Sequence, residues 1–236
     1  ISEGTTSIDP DKLNFQPVID RGETIFPNGD TDNPYGGYND RTYLRYKDTE
    51  SGISPRAVPG VPGHIHIAAT DEHDEDGTLV SDEFTNPAVR RMMVEKRARK
   101  MDDIFEYVQA PEVEGSEDAD ITLVGWGSTY GVIHEAIEQL KAESINANHL
   151  PIKWIVPFHT KKINEVLTNS KKVIIVENNF SGQFYRYMRS ETGMDVDAHI
   201  RKYDGEPFMP HQVVNGVQEI MAGETEIFVP KHKIMV

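Results

Sequence analysis

Apolar residues gather in short runs over the C-terminal half of this chain, and each run breaks into small or polar residues before a helical pattern follows. Ile121-Thr-Leu-Val-Gly-Trp126 is one such run, ending in Gly127-Ser-Thr-Tyr-Gly131. Val173-Ile-Ile-Val-Glu177 is another, about fifty residues later, ending in Asn178-Asn-Phe-Ser-Gly182. Short continuous apolar runs suit strands buried on both faces. The alternation predicts strands at 121–126, about 146–155, 172–177 and about 197–202. Helices are predicted at about 129–142, 159–168, 181–192 and 210–222. Pro157 and Pro210 stand just ahead of helices and Gly223 just past one. Such an alternation predicts a parallel sheet with its working loops along one edge. The expected fold class is α/β, with a mostly parallel sheet, and an irregular segment and a long helix ahead of it.

The N-terminal part reads differently. Residues 1–60 are rich in Asp, Asn, Gly and Pro, with turns at Asn28-Gly29, Pro34-Tyr-Gly-Gly37 and Pro59-Gly60. Irregular stretches this long are uncommon in compact domains and usually functional or interface-forming. Aromatics such as Phe15, Tyr35, Tyr43 and Tyr46 weigh against disorder, because they need something to pack against. Gly63-His-Ile-His-Ile-Ala-Ala69 reads as a short strand. Asn86-Pro87 opens a helix, with Asn as N-cap and Pro at the first helical position. Its apolar face runs from Val89 through Met92, Met93, Met101 and Ile104 to Phe105 and Val108. The other face carries Arg90, Arg91, Lys96, Arg97, Arg99 and Lys100. That face is expected to be solvated, with an acidic docking partner as the alternative. The acidic stretch Gln109 to Ala119 is expected to be a linker, dividing a domain at 1–110 from one at 119–236.

Composition narrows the chemistry. A chain of 236 residues can form one large or two small domains. It has no cysteine, hence no disulfide, no thiolate-bound zinc and no Cys-ligated iron–sulfur cluster. A net charge of −15 and a pI near 5.0 argue against a nucleic-acid partner. No apolar run approaches the roughly 18 residues of a membrane span, and mean hydropathy is −0.52. No export signal follows the N-terminus. A cytoplasmic protein with no membrane partner is expected. The chain opens on Ile1 and reads like mid-sequence, which predicts a truncated or proteolysed chain, a natural short protein being the other reading.

Several motifs could carry chemistry. Gly125-Trp-Gly-Ser-Thr-Tyr-Gly131 has Tyr130 where a dinucleotide fingerprint needs its third glycine, and the next strand ends without the acid that would hold a ribose. Nicotinamide binding is therefore not expected. The turn still offers backbone N–H groups and the Ser128 and Thr129 hydroxyls to an anion or to a partner's loop. Asp71-Glu-His-Asp-Glu-Asp-Gly77 could hold a hard cation, but it lacks the ligand spacing of a calcium loop. An acidic surface turn is the favoured reading, and an interface loop with His73 bridging carboxylates lies between the two. His64 and His66 share one face of their strand and read as packing rather than as metal ligands, so no metal site is expected. Arg56 could clamp a carboxylate or phosphate, or sit in a buried salt bridge. Glu177-Asn178-Asn179 ends a central strand, where open α/β sheets place their sites, and could equally serve loop hydrogen bonding.

Taken in order, six strings resemble the α chain of 2-oxoacid:ferredoxin oxidoreductases. They are Gly52-Ile-Ser-Pro-Arg-Ala-Val-Pro-Gly60, Asp71–Gly77, Val124-Gly-Trp-Gly-Ser-Thr-Tyr-Gly131, Lys153-Trp-Ile-Val-Pro-Phe158, Val176-Glu-Asn-Asn-Phe-Ser-Gly-Gln183 and Ile200-Arg-Lys-Tyr-Asp-Gly-Glu-Pro-Phe208. The resemblance implies a thiamine diphosphate enzyme of several subunits. It would convert a 2-oxoacid to acyl-CoA and CO₂ and pass electrons to ferredoxin. Residues 1–110 would be the tail of the pyrimidine-binding domain and 119–236 a transketolase C-terminal-like domain, with a mostly parallel five-stranded sheet and helices on both faces. Thiamine diphosphate, Mg²⁺ and an iron–sulfur cluster would be held by a partner β subunit, coenzyme A would serve the complex, and none would bind this chain alone. An oligomer is expected. The family's Tyr-Pro-Ile-Thr-Pro motif is absent here, as is the segment supplying the glutamate that activates the aminopyrimidine. No catalytic residue is therefore assignable. Arg56, Glu72, His73, Ser128, Thr129 and Asn178 are candidates for lining the subunit junction. A stand-alone interaction module reusing the fold is the alternative.

Overall fold

The computed structural model describes residues 24–25, 43–57, 66, 68, 70–80 and 86–231. They divide between two compact units, one within Phe15–Val108 and one built on Gln109–Val236.

In the first unit, β1 (Thr24–Ile25) pairs in parallel with β2 (Arg56–Ala57). A long helix, α1 (Pro87–Tyr107), starts where expected, with the Asn86 side chain accepting hydrogen bonds from the N–H groups of Ala88 and Val89. Its basic face is not simply solvated. Lys96 is buried, and burial lowers its proton affinity. Arg99 donates to Asp48 and to the Thr49 carbonyl, while Arg90 and Arg97 both reach Glu72. The reason is steric as well as electrostatic. The 43–57 segment lies so close to α1 that a Cβ on Gly52 would stand 2.3 Å from the Lys96 carbonyl oxygen. Most of the strand expected at 63–69, His64 included, lies outside the described residues.

The second unit alternates as the pattern predicts: β3 (Ile121–Trp126), a 3₁₀ turn at Gly127–Thr129, α2 (Tyr130–Ala142), β4 (Ala147–Ile152), α3 (Thr160–Asn169), β5 (Val173–Glu177), α4 (Gln183–Thr192), β6 (Ala198–Arg201), α5 (Pro210–Met221) and β7 (Ile227–Phe228). The five strands are parallel, in the order β4-β3-β5-β6-β7. α2 and α5 cover one face, where Ile121, Leu123, Ile174 and Ile200 meet Ile133 and Val217. α3 and α4 cover the other, where Val124, Leu150 and Ile175 meet Ile163 and Met188. Each such side chain taken fully out of water contributes roughly 1.5–3 kcal/mol. β4 stops at Ile152, short of the expected 155. Residues 153–159 turn off the sheet instead, through a cis Val156–Pro157 peptide bond, and leave Trp154 and Val156 exposed.

The acidic stretch after α1 is more than a spacer. Glu114 pairs antiparallel with His149 through two backbone hydrogen bonds of 2.8 and 2.9 Å, and the Asn148 amide donates to the Ser116 carbonyl. The stretch thus covers the free edge of β4, which would otherwise present unpaired N–H and C=O groups.

At Gly125, inside β3, a Cβ would lie 2.4 Å from Ile133 Cδ1 and 2.5 Å from Thr129 Oγ1. Both neighbours are buried, so Gly125→Ala is expected to cost about 1–3 kcal/mol. Urea denaturation of the two proteins checks this, and an unchanged midpoint would mean that the α2 packing yields freely.

Candidate functional site

Because the strands are parallel, the loops leaving their C-terminal ends share one edge, where open α/β sheets place ligand sites. Ser128 and Thr129 sit in the turn after β3. Thr129 is buried and donates from Oγ1 to the Trp126 carbonyl at 3.1 Å, which closes the turn, while Ser128 is exposed.

After β5, Glu177 is 1% exposed. Its Oε2 accepts from Asn179 Nδ2 at 2.6 Å and from the Phe184 N–H at 2.9 Å, and Asn179 Oδ1 accepts from the Gln183 N–H. The two side chains thereby satisfy the first free N–H groups of α4, which a negative charge at a helix N-terminus also favours. Gly182, at φ +68°, passes so near Arg201 and Glu177 that a Cβ would meet Arg201 Nη2 at 2.7 Å. The middle residue of the triplet, Asn178, is exposed. Loop hydrogen bonding therefore accounts for Glu177 and Asn179, and Asn178 is the member left facing solvent.

Arg201 and Lys202 were not legible as site residues. The β5–β6 register sets Arg201 opposite Glu177, and only strand pairing reveals that. Arg201 reaches the Phe180 carbonyl at 3.4 Å. Lys202 is buried, with its ammonium donating to Asp204 and to the Glu206 carbonyl at 2.5 and 3.0 Å.

The first unit holds Arg56, Glu72 and His73. Glu72 accepts from Arg97 at 3.0 and 3.1 Å and from Arg90 at 3.2 Å. The Arg97 hydrogen bond is the main reason its carboxyl titrates below the usual range, with both arginine charges adding to it. His73 does not bridge carboxylates. It stacks on Tyr46 with ring centroids 3.8 Å apart, its Nδ1 3.0 Å from the Asp74 carbonyl. Asp74 Oδ1 accepts from the N–H groups of Asp76 and Thr78, and Asp76 Oδ1 accepts from Thr78. The acidic loop is thus a turn folded around its own backbone donors, and burial followed by the Asp76 hydrogen bond raises the Asp74 pKa. Among the described residues no group of three or more His, Asp or Glu is placed to hold a metal ion. Arg56 is exposed on β2, which removes a buried salt bridge as its role.

Two buried histidines also escaped the sequence. His149 lies under the Tyr130 ring, centroids 5.4 Å apart, with no hydrogen-bond partner for either ring nitrogen. His199 packs edge-on to Tyr185 at 4.6 Å. Burial pushes both down to about 4, with like charge from His134 and Lys153 adding at His149 and from Arg201 at His199.

Residues 119–219 match the model of the pyruvate:ferredoxin oxidoreductase core domain II. This is the class of domain that the five-stranded sheet and its helices form. The chain belongs to the 2-oxoacid:ferredoxin oxidoreductase α-subunit family. It is 32% identical over 235 residues to 2-oxoacid:ferredoxin oxidoreductase 2, subunit alpha, of Aeropyrum pernix, covering 98% of this chain and 33% of that one. It is 29% identical over 180 residues to the 2-oxoglutarate oxidoreductase subunit KorA of Mycobacterium tuberculosis, covering 75% and 26% of the two chains. Among solved structures it is similar to the 2-oxoglutarate:ferredoxin oxidoreductase of Magnetococcus marinus with 2-oxoglutarate, coenzyme A and succinyl-CoA bound. There the TM-score is 0.62 and identity 36%, over 77% of this chain and 31% of that one. The chain spans about a third of the length of the curated relatives it matches.

The buried histidines set a pH dependence. A folded-state pKa near 4 against the usual 6.5 means that the unfolded chain takes up the proton first as pH falls. The histidine contribution to stability should therefore be full above pH about 7, decline between about 6.5 and 4, and level off below, with His149 contributing up to about 3 kcal/mol. Denaturation midpoints from pH 7.5 to 4 test this. His149→Leu should flatten part of the slope, and an unchanged slope would place the titrating group elsewhere.

Proposed function

We propose that this chain works as part of the α subunit of an enzyme that oxidatively decarboxylates a 2-oxoacid to an acyl-CoA and CO₂ with reduction of ferredoxin, and that alone it is catalytically silent. The observation that carries this reading is relatedness along 98% of the chain to an α subunit about three times as long. In this reading residues 1–110 are the tail of a pyrimidine-binding domain with its connecting helix, and 119–236 a transketolase C-terminal-like domain. The assembled enzyme is an oligomer of the cytoplasm. Among the described residues no helix is long and apolar enough to cross a membrane.

The expected cofactors do not fit the groups described here. A diphosphate held through Mg²⁺ asks for free oxygen ligands. The acidic-loop carboxylates of Asp74 and Asp76 accept hydrogen bonds from their own backbone, Glu72 is taken by two arginines, and Glu177 caps α4. An iron–sulfur cluster asks for thiolates, and the chain has no cysteine. No step of the reaction is therefore routed through these described groups. Thiamine diphosphate, Mg²⁺ and the cluster belong to the β subunit in this reading, and coenzyme A and ferredoxin meet the complex. Ser128, Asn178, Arg56 and His73 line the subunit junction, whereas Glu72 and Thr129 shape the loops beside them.

Isothermal calorimetry of this chain with thiamine diphosphate and MgCl₂ should give no binding heat, and a micromolar Kd would overturn the silent-subunit reading. Affinity purification followed by mass spectrometry should recover a cysteine-containing subunit that binds thiamine diphosphate. Recovery without such a subunit would favour an interaction module instead.

A further inference from the structure

The outgoing edge of the sheet carries large apolar side chains that the fold itself does not cover. In strand order they are Trp154 and Val156 after β4, Trp126 at the end of β3, Phe180 after β5, and Tyr203 and Met209 after β6. Phe180 is 71% and Val156 65% exposed. The Phe180 and Tyr203 rings meet edge to face at 5.0 Å, which joins two neighbouring loops into one surface. Strands lie about 4.8 Å apart, so side chains spread over four of them span on the order of 15 Å. That breadth suits a protein face rather than a small ligand, which prefers a concave pocket.

Charge says what kind of face. The chain has 39 acidic against 24 basic residues, and acids are favoured in the first turn of a helix. Yet α2, α3, α4 and α5, which all begin at this edge, carry no acid in their first turns. Lys153, Lys161 and Arg186 are exposed there instead. Acids are denser at the opposite edge, with Glu117, Asp118, Asp120, Glu224 and Glu226 all exposed, whereas the outgoing edge shows Glu206 and Asp204, the latter paired with Lys202. The N-termini of α2, α3 and α5, with no acid in their first turns (that of α4 is capped by the buried Glu177), together with the exposed cations and aromatics form a surface complementary to negative charge.

We propose that the outgoing edge of this sheet, centred on Phe180, Val156 and Trp154 and ringed by Lys153, Lys161 and Arg186, is the docking face for an acidic, apolar-studded surface of the partner subunit. The proposal rests on reading the chain as part of a multi-subunit enzyme. The aromatic centre would hold the complex, and the basic ring would set its approach and its salt dependence.

The test is binding of this chain to the immobilised partner subunit that copurifies with it, at low and high salt. Lys153→Glu/Lys161→Glu/Arg186→Glu should weaken binding at least tenfold at low salt and remove most of its salt dependence. Glutamates at 161 and 186 favour their helix ends, so this variant should fold, which circular dichroism would check. Phe180→Ser should weaken binding at both salt concentrations, and Glu224→Lys at the far edge should leave it unchanged. A photo-crosslinker at position 180 should capture an Asp- and Glu-rich stretch of the partner. Capture of a second copy of this chain, or of another part of the same chain, would overturn the proposal. So would undiminished binding of both edge variants, which would leave the subunit reading standing. Failure of any thiamine diphosphate subunit to copurify would overturn both.

Discussion

Parallel pairing of fully buried strands is the constraint on which the second unit depends. β3 has Ile121, Leu123 and Val124 wholly out of water, so both faces must be covered, and each strand must be reached by a crossover rather than a hairpin. That one requirement sends every outgoing turn to the same edge and every helix N-terminus with it. The exposed aromatics, the missing first-turn acids and the polar loop after β5 are neighbours for this reason. The incoming edge receives the helix C-termini and most of the nearby acids.

Polar groups at the outgoing edge divide by burial. Glu177 and Lys202 are almost completely buried, and a buried charge is costly unless hydrogen bonds compensate it. Glu177 answers with the N-terminus of α4, and Lys202 with Asp204 and the Glu206 carbonyl. Their role is to hold the loops still. The groups left free to meet another molecule are the exposed ones, Ser128, Asn178 and the aromatic side chains around them.

The first unit uses charge locally. Arginines on α1 reach into the 43–57 and 70–80 segments and hold them through Asp48 and Glu72, while Tyr46 ties the two segments together through the Glu75 carbonyl and the His73 ring. A basic run in an acidic chain reads from sequence as a solvated face, with a docking surface as the alternative. Here part of it is matched from within, because two irregular segments with few apolar residues need specific polar contacts to take one shape.

The sequence by itself determined the α/β class, the strand and helix order of the second unit, the start of α1 at Asn86-Pro87 and the family, because these rest on local periodicity, capping and contiguous strings. It could not give the end of β4 at Ile152, the two-residue strand β7, or the acidic stretch acting as an edge cover. Those are settled by what lies alongside in space. Among the site candidates, tertiary packing decided that Thr129 and Glu72 hold loops while Ser128 and Asn178 face solvent. It also set Arg201 opposite Glu177 and buried His149 and His199. Residue type and spacing carry the hydrophobic pattern of a strand, but a side chain's exposure and partner depend on which strand the chain returns to, and that is fixed only when the sheet assembles.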